Sequence, residues 1–119
     1  MKKLFAITVP ILSGKTNQWK KFTNELNNKY YGEFAESRKR LGVHERTFLQ
    51  STPQGDFVIV TLEGNDPQNA FTEFSKANDN FTQWFTQQVK DIHGFDLANP
   101  PQGPLPELVI DSLELVEQN

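Results

Sequence analysis

The sequence predicts an α+β fold built as one domain, and three observations carry that prediction. Two stretches, 3–9 (KLFAITV) and 56–63 (DFVIVTLE), are dense in β-branched and aromatic residues. Around them run segments whose apolar residues recur every three or four positions, the period of an amphipathic helix. The 119 residues, 36% of them hydrophobic, suffice for one ordinary core, and no linker is long enough to divide it.

The first strand spans 3–9, and Pro10 with Ser13-Gly14 ends it. A long helix follows, capped at Thr16 or Asn17, with Trp19, Phe22, Leu26, Tyr30, Phe34, Ser37 and Leu41 forming one stripe and Gly42 at its stop. HERTFLQS (44–51) alternates: His44, Arg46, Phe48 and Gln50 on one face, Glu45, Thr47, Leu49 and Ser51 on the other. Thr52-Pro53-Gln54-Gly55-Asp56 is a hairpin turn into the strand 56–63. Asp66 then caps a helix with Pro67 at its first position, carrying Ala70, Phe71, Phe74 and Ala77. After Asn78-Asp79-Asn80 another helix turns Phe81, Trp84, Phe85, Gln88, Val89 and Ile92 inward and stops at Gly94. Residues 95–106 hold four prolines and read as irregular, pinned by Phe95 and Leu97. ELVIDSLELV (107–116) reads as a last strand, with 112–119 fraying into an acidic tail.

The order β-α-β-β-α(α)-β is the ferredoxin-like split-βαβ pattern, a four-stranded antiparallel sheet with helices on one face. Its other face should be polar in an isolated domain. Here both faces of the third strand are largely apolar, Phe57, Ile59 and Thr61 against Val58, Val60 and Leu62. The first strand repeats this, Leu4, Ala6 and Thr8 against Phe5, Ile7 and Val9. An apolar sheet face of that size predicts an interface or a ligand groove.

That element order, the Pro10, Gly14, Lys15 turn and the aromatic long helix resemble the dimeric α+β-barrel superfamily. The stretches 36–42 (ESRKRLG) and 48–56 (FLQSTPQGD) are most similar to an uncharacterised bacterial branch of it. The superfamily also includes antibiotic-biosynthesis-type monooxygenases, haem-degrading monooxygenases, muconolactone isomerases and stress-responsive barrel proteins. The resemblance covers nearly all of 1–119. It implies a homodimer formed through the sheet face, with a pocket inside the barrel or between each sheet and its helices. It implies a small-molecule-binding protein or, alternatively, a cofactor-independent monooxygenase or isomerase acting on an enolisable or aromatic substrate.

Composition excludes several other classes. A net charge of -3 argues against a generic nucleic-acid surface, which needs clustered Lys and Arg. The absence of cysteine removes disulfides, thiolate metal sites and a Cys nucleophile, and fits the cytoplasm. Lys2-Lys3 before Leu4–Leu12 imitates a signal peptide, but Thr8 and Pro10 interrupt the run and no small-x-small cleavage site follows. No stretch approaches the roughly 20 apolar residues that span a membrane. Ser13-Gly14-Lys15-Thr16 imitates a phosphate-binding loop, yet the first glycine of that motif falls on Val9.

Candidate chemistry then rests on a few side chains. Arg38, Arg40, His44 and Arg46 could together hold a carboxylate, enolate or phosphate. The plainer explanation is favoured: Arg38, Lys39 and Arg40 complement the helix C-terminus and pair on the surface with Glu33, Glu36 and Glu45. In an enzyme, His44 and Arg46 would polarise an enolate oxygen and His93 would serve as base, oriented by Asp96. Asp91, two residues before His93, points elsewhere on a helix, so no metal site is expected, and no cofactor is expected either. Arg38, Tyr31 and Trp84 are the candidate ligand contacts. Trp84 and Trp19 also lie on helix stripes, where core packing is the default explanation. The haem-degrading relatives' Asn, Trp and His are not reproduced by Asn17, Trp19 and His93.

Overall fold

The computed structural model describes residues 2–99, 105–113 and 115–116. Its elements are β1 (Lys3–Pro10), α1 (Thr16–Asn27), α2 (Tyr31–Arg40), β2 (Val43–Thr52), β3 (Gly55–Gly64), α3 (Pro67–Glu73) and α4 (Asn80–His93). They form an α+β fold with a three-stranded antiparallel sheet, order β1-β3-β2, and four helices. The apolar central strand is β3, paired on both sides. Among the described residues of 107–116, only Asp111 makes a bridge and none belongs to the sheet. Their side chains are largely exposed, Ile110 at 81% and Leu113 at 92%. β-propensity is a local preference that packing must complete.

The single long helix expected from Thr16 to Leu41 is instead two. Asn28 leaves the helical region at φ -127°, ψ -80°, and its Nδ2 donates to the Asn24 carbonyl at 2.8 Å. Asparagine side chains compete in this way with the backbone, and consecutive asparagines at 27 and 28 make the break cheap. The stripe survives it: Trp19, Phe22, Leu26 and Ser37 are buried, and Tyr30, Phe34 and Leu41 pack against the core. The predicted cap at α1 also differs. Thr16 begins the helix, and its Oγ1 donates to Asp56 Oδ2 at 2.6 Å, which ties the start of α1 to the start of β3.

The helix expected to carry Ala70, Phe71, Phe74 and Ala77 ends at Glu73, with Phe74 as its C-cap and Ala77 beyond it, whereas the helix starts fall as expected. Asp66 and Asp79 each accept a backbone N–H three residues on, at 3.3 Å, so α3 and α4 start where the caps require. Gly94 ends α4 at φ 80°, a left-handed conformation that favours glycine. Leu12 N donates to the Ile92 carbonyl at 2.9 Å, which fastens the end of α4 beside the end of β1. Leu97 is buried and Phe95 partly so, pinning the segment after α4 as expected.

Register assigns the two faces of the sheet. Phe5, Ile7 and Val9 of β1, Val58, Val60 and Leu62 of β3, and Glu45, Thr47 and Leu49 of β2 share the helix-covered face. Leu4, Ala6, Thr8, Phe57, Ile59, Thr61, His44, Arg46 and Phe48 share the other. No helix of the described residues is long and apolar enough to cross a membrane.

Candidate functional site

Between the covered sheet face and the helices lies a cavity of about 350 Å³. Its walls are mainly Ile7, Val58 and Val60 of the sheet and Trp19, Phe22, Phe74 and Phe85 of the helical layer. Five polar side chains join the lining: Thr23, Asn27, Glu45, Thr47 and His93. A mostly apolar hollow with a few convergent polar groups is the usual form of a small-molecule site.

His93 stands at the β1 C-terminal end. The last turn of α4 places it there, and its Nδ1 lies 2.8 Å from the Pro10 carbonyl. A carbonyl oxygen only accepts, so Nδ1 carries the hydrogen and Nε2 is left as an acceptor. Burial pushes the His93 pKa below the ordinary histidine value, against the smaller upward pull of the Pro10 bond. The ring is therefore the neutral base at pH 7. Asp96, expected to orient it, instead accepts the Ala98 N–H at 2.9 Å. Asp91 accepts from Gln87 on the outside of α4. Among the described residues no three His, Asp or Glu side chains converge to hold a metal ion.

The opposite corner of the cavity is built around Glu45. It pairs with Leu62, which pairs in turn with Phe5 on its other side, five residues along from the Pro10, Phe57 and Gln50 row. Arg38 Nε donates to Glu45 Oε1 at 2.6 Å, Thr47 Oγ1 donates to Oε2 at 2.9 Å, and Arg38 Nη1 donates to Ser37 Oγ at 2.9 Å. The surface pairing expected of Arg38 is thus corrected: the Arg38–Glu45 pair exists but is buried, with side-chain exposures of 6% and 9%. The guanidinium carbon sits 3.8 Å from the Phe74 ring centroid, 4.8 Å from Phe85 and 4.9 Å from Phe34. All three rings line the cavity and Arg38 does not, so the cation stands against the outer side of the aromatic wall.

The other candidates lie elsewhere. His44 and Arg46 are exposed on the open sheet face, opposite the cavity, where Arg46 Nη1 meets Glu63 Oε1 at 3.5 Å. They do not meet His93 within one chain. Tyr31 is 57% exposed at the start of α2. Trp84 packs behind the wall, 4.2 Å from the Tyr30 ring and 5.3 Å from Phe22. Arg40 and Lys39 face solvent.

Glu45 and Thr47 were visible in the sequence only as the side of β2 opposite His44 and Arg46. That alternation with Leu49 is the signal that places them inward. Arg38 falls four residues after Phe34, beside Ser37 on the apolar stripe, and this spacing was the sign of its burial.

Comparison with protein-family models, curated proteins and solved structures gives no match to this chain.

Proposed function

We propose that this chain works as a cytoplasmic homodimer that holds a small, flat, largely apolar molecule between its sheet and its helices. The cavity carries this reading: about 350 Å³ of space kept open by aromatic walls, with polar side chains confined to a few positions. Trp19, Phe22, Phe74 and Phe85 leave apolar surface on its walls that a flat apolar ligand would cover. The absence of cysteine supports the cytoplasm. The open sheet face supports the dimer: Leu4 and Phe48 are each 52% exposed there, Phe48 beside Ile59 and one row from Phe57. In that assembly 107–116 would complete the four-stranded ferredoxin-like sheet, covering a segment whose apolar side chains otherwise face solvent.

The test is direct occupancy. Naphthalene titrated into the protein should perturb the amide resonances of Val58, Val60 and Thr47, which line the cavity. Val60→Phe should weaken that binding about tenfold or more with the fold retained, because the added ring occupies the space. Unchanged affinity in the variant would remove the cavity from consideration.

His93 favours a second reading, a cofactor-independent monooxygenase or isomerase. A neutral imidazole anchored through Nδ1 presents Nε2 as a base for an acidic C–H or O–H. Turnover of an enolisable substrate that disappears in His93→Gln would support it.

A further inference from the structure

We infer that the Glu45 corner of the cavity selects a neutral ligand bearing a hydroxyl or N–H donor and rejects an anion, an inference that rests on the cavity being a binding site. Glu45 is the charged group that lines the cavity, and its cation is held outside the lining. Paired with Arg38, the carboxylate has acceptors to offer and no hydrogen to give. An incoming carboxylate or phosphate would meet like charge there, beside a Glu45 side chain that is itself only 9% exposed. An incoming ammonium is disfavoured as well, because Arg38 already supplies the charge that Glu45 requires and would repel a second cation.

Arg38 is consequently a positioning residue. Its Nε fixes Oε1, Thr47 fixes Oε2, and Ser37 and three phenylalanine rings fix the guanidinium. A carboxylate held at both oxygens retains the remaining lone pairs for a ligand donor in a set direction. At the far corner His93 also presents an acceptor, Nε2, since its Nδ1 hydrogen is committed to Pro10. The polar complement of the site is therefore a flat apolar body with donors at both ends. This departs from the carboxylate or enolate expected of an arginine-lined pocket.

Three probes of one shape test it on the wild-type chain: a naphthalenediol with hydroxyls at opposite ends, naphthalene, and the matching naphthalenedicarboxylate. Calorimetric titration should give the diol at least about tenfold tighter binding than naphthalene, the scale of one well-made hydrogen bond to a charged group. The dicarboxylate should bind more weakly than naphthalene. The variant Arg38→Met/Glu45→Met, which removes both charges and leaves no ion unpaired, should lose about tenfold of the diol's advantage over naphthalene measured on the same variant. Circular dichroism establishes that it is folded. Equal binding of diol and naphthalene, tighter binding of the dicarboxylate, or an undiminished diol preference in the double variant each overturns the inference while leaving the cavity a binding site. Failure of all three probes to bind overturns both.

Discussion

At the scale of single residues, the Arg38–Glu45 pair and His93 show how burial changes the consequence of a charge. Exposed ion pairs such as Arg46–Glu63 contribute little, because water already solvates both members. Arg38 and Glu45 have surrendered that solvation, and each depends on the other. Glu45→Ala should therefore cost about 3–5 kcal/mol in urea unfolding, by leaving the guanidinium buried and unpaired. Arg38→Met/Glu45→Met should recover most of that loss, since methionine fills the space among Phe34, Phe74 and Phe85 without a charge. A double variant as unstable as the single one would show that packing, not charge, governs this corner. His93 gives the pH counterpart. Its folded pKa lies below the ordinary 6.5, so the unfolded chain binds the proton more readily. The stability due to neutral His93 is fully present above 6.5 and is lost as pH falls through the folded value. Unfolding followed from about pH 7.5 to about pH 5 should show this decline in the wild type and a shallower one in His93→Gln. Equal slopes would mean that the imidazole is not buried as described.

At the scale of elements, local chemistry decided most of the fold. Asp66-Pro67, Asp79 and Gly94 each settle a helix end through bonds to residues within four positions, so their effect is readable without tertiary knowledge. The hairpin is equally local, with Thr52 Oγ1 donating to the Gly55 carbonyl at 2.6 Å. The break at Asn28 was not readable from the apolar stripe, because the stripe keeps its period across it; only the asparagines marked the place. Gly64 has a meaning that spacing hides. It ends β3 opposite Val43, and a Cβ on it would overlap the Gly42 carbonyl oxygen, so the glycine permits the α2–β2 turn to lie against β3. Gly64→Ala should cost about 1–3 kcal/mol, the usual penalty for forcing atoms into a filled space. Thermal unfolding measures it, with Gly32→Ala, where a Cβ meets nothing within 4 Å, as the control.

At the scale of the whole molecule, the two faces of one sheet set the functional question. The site was only half legible, since alternation shows that residues share a face but not which face the helices cover. His44 and Arg46 looked like a site because they are polar and adjacent on β2; the helices cover the other side, where Glu45 and Thr47 lie. The uncovered face carries the remaining argument. Its rows run Leu4–Glu63–His44, Ala6–Thr61–Arg46, Thr8–Ile59–Phe48 and Pro10–Phe57–Gln50. The first two rows carry the charges of Glu63 and Arg46, and the last two are largely apolar. Two copies packed face to face around a twofold axis would bury the apolar rows and keep His44, Arg46 and Glu63 near the rim, an isologous arrangement. Phe48, 52% exposed at the apolar end, is then the side chain with most to lose. Light scattering at micromolar concentration should give twice the chain mass for the wild type and the single-chain mass for Phe48→Glu, with circular dichroism unchanged. Because Phe48 points away from the cavity, the monomeric variant should still bind naphthalene, which separates the assembly from the ligand site. A wild type that is already monomeric would refute the face-to-face dimer and leave the cavity to stand alone.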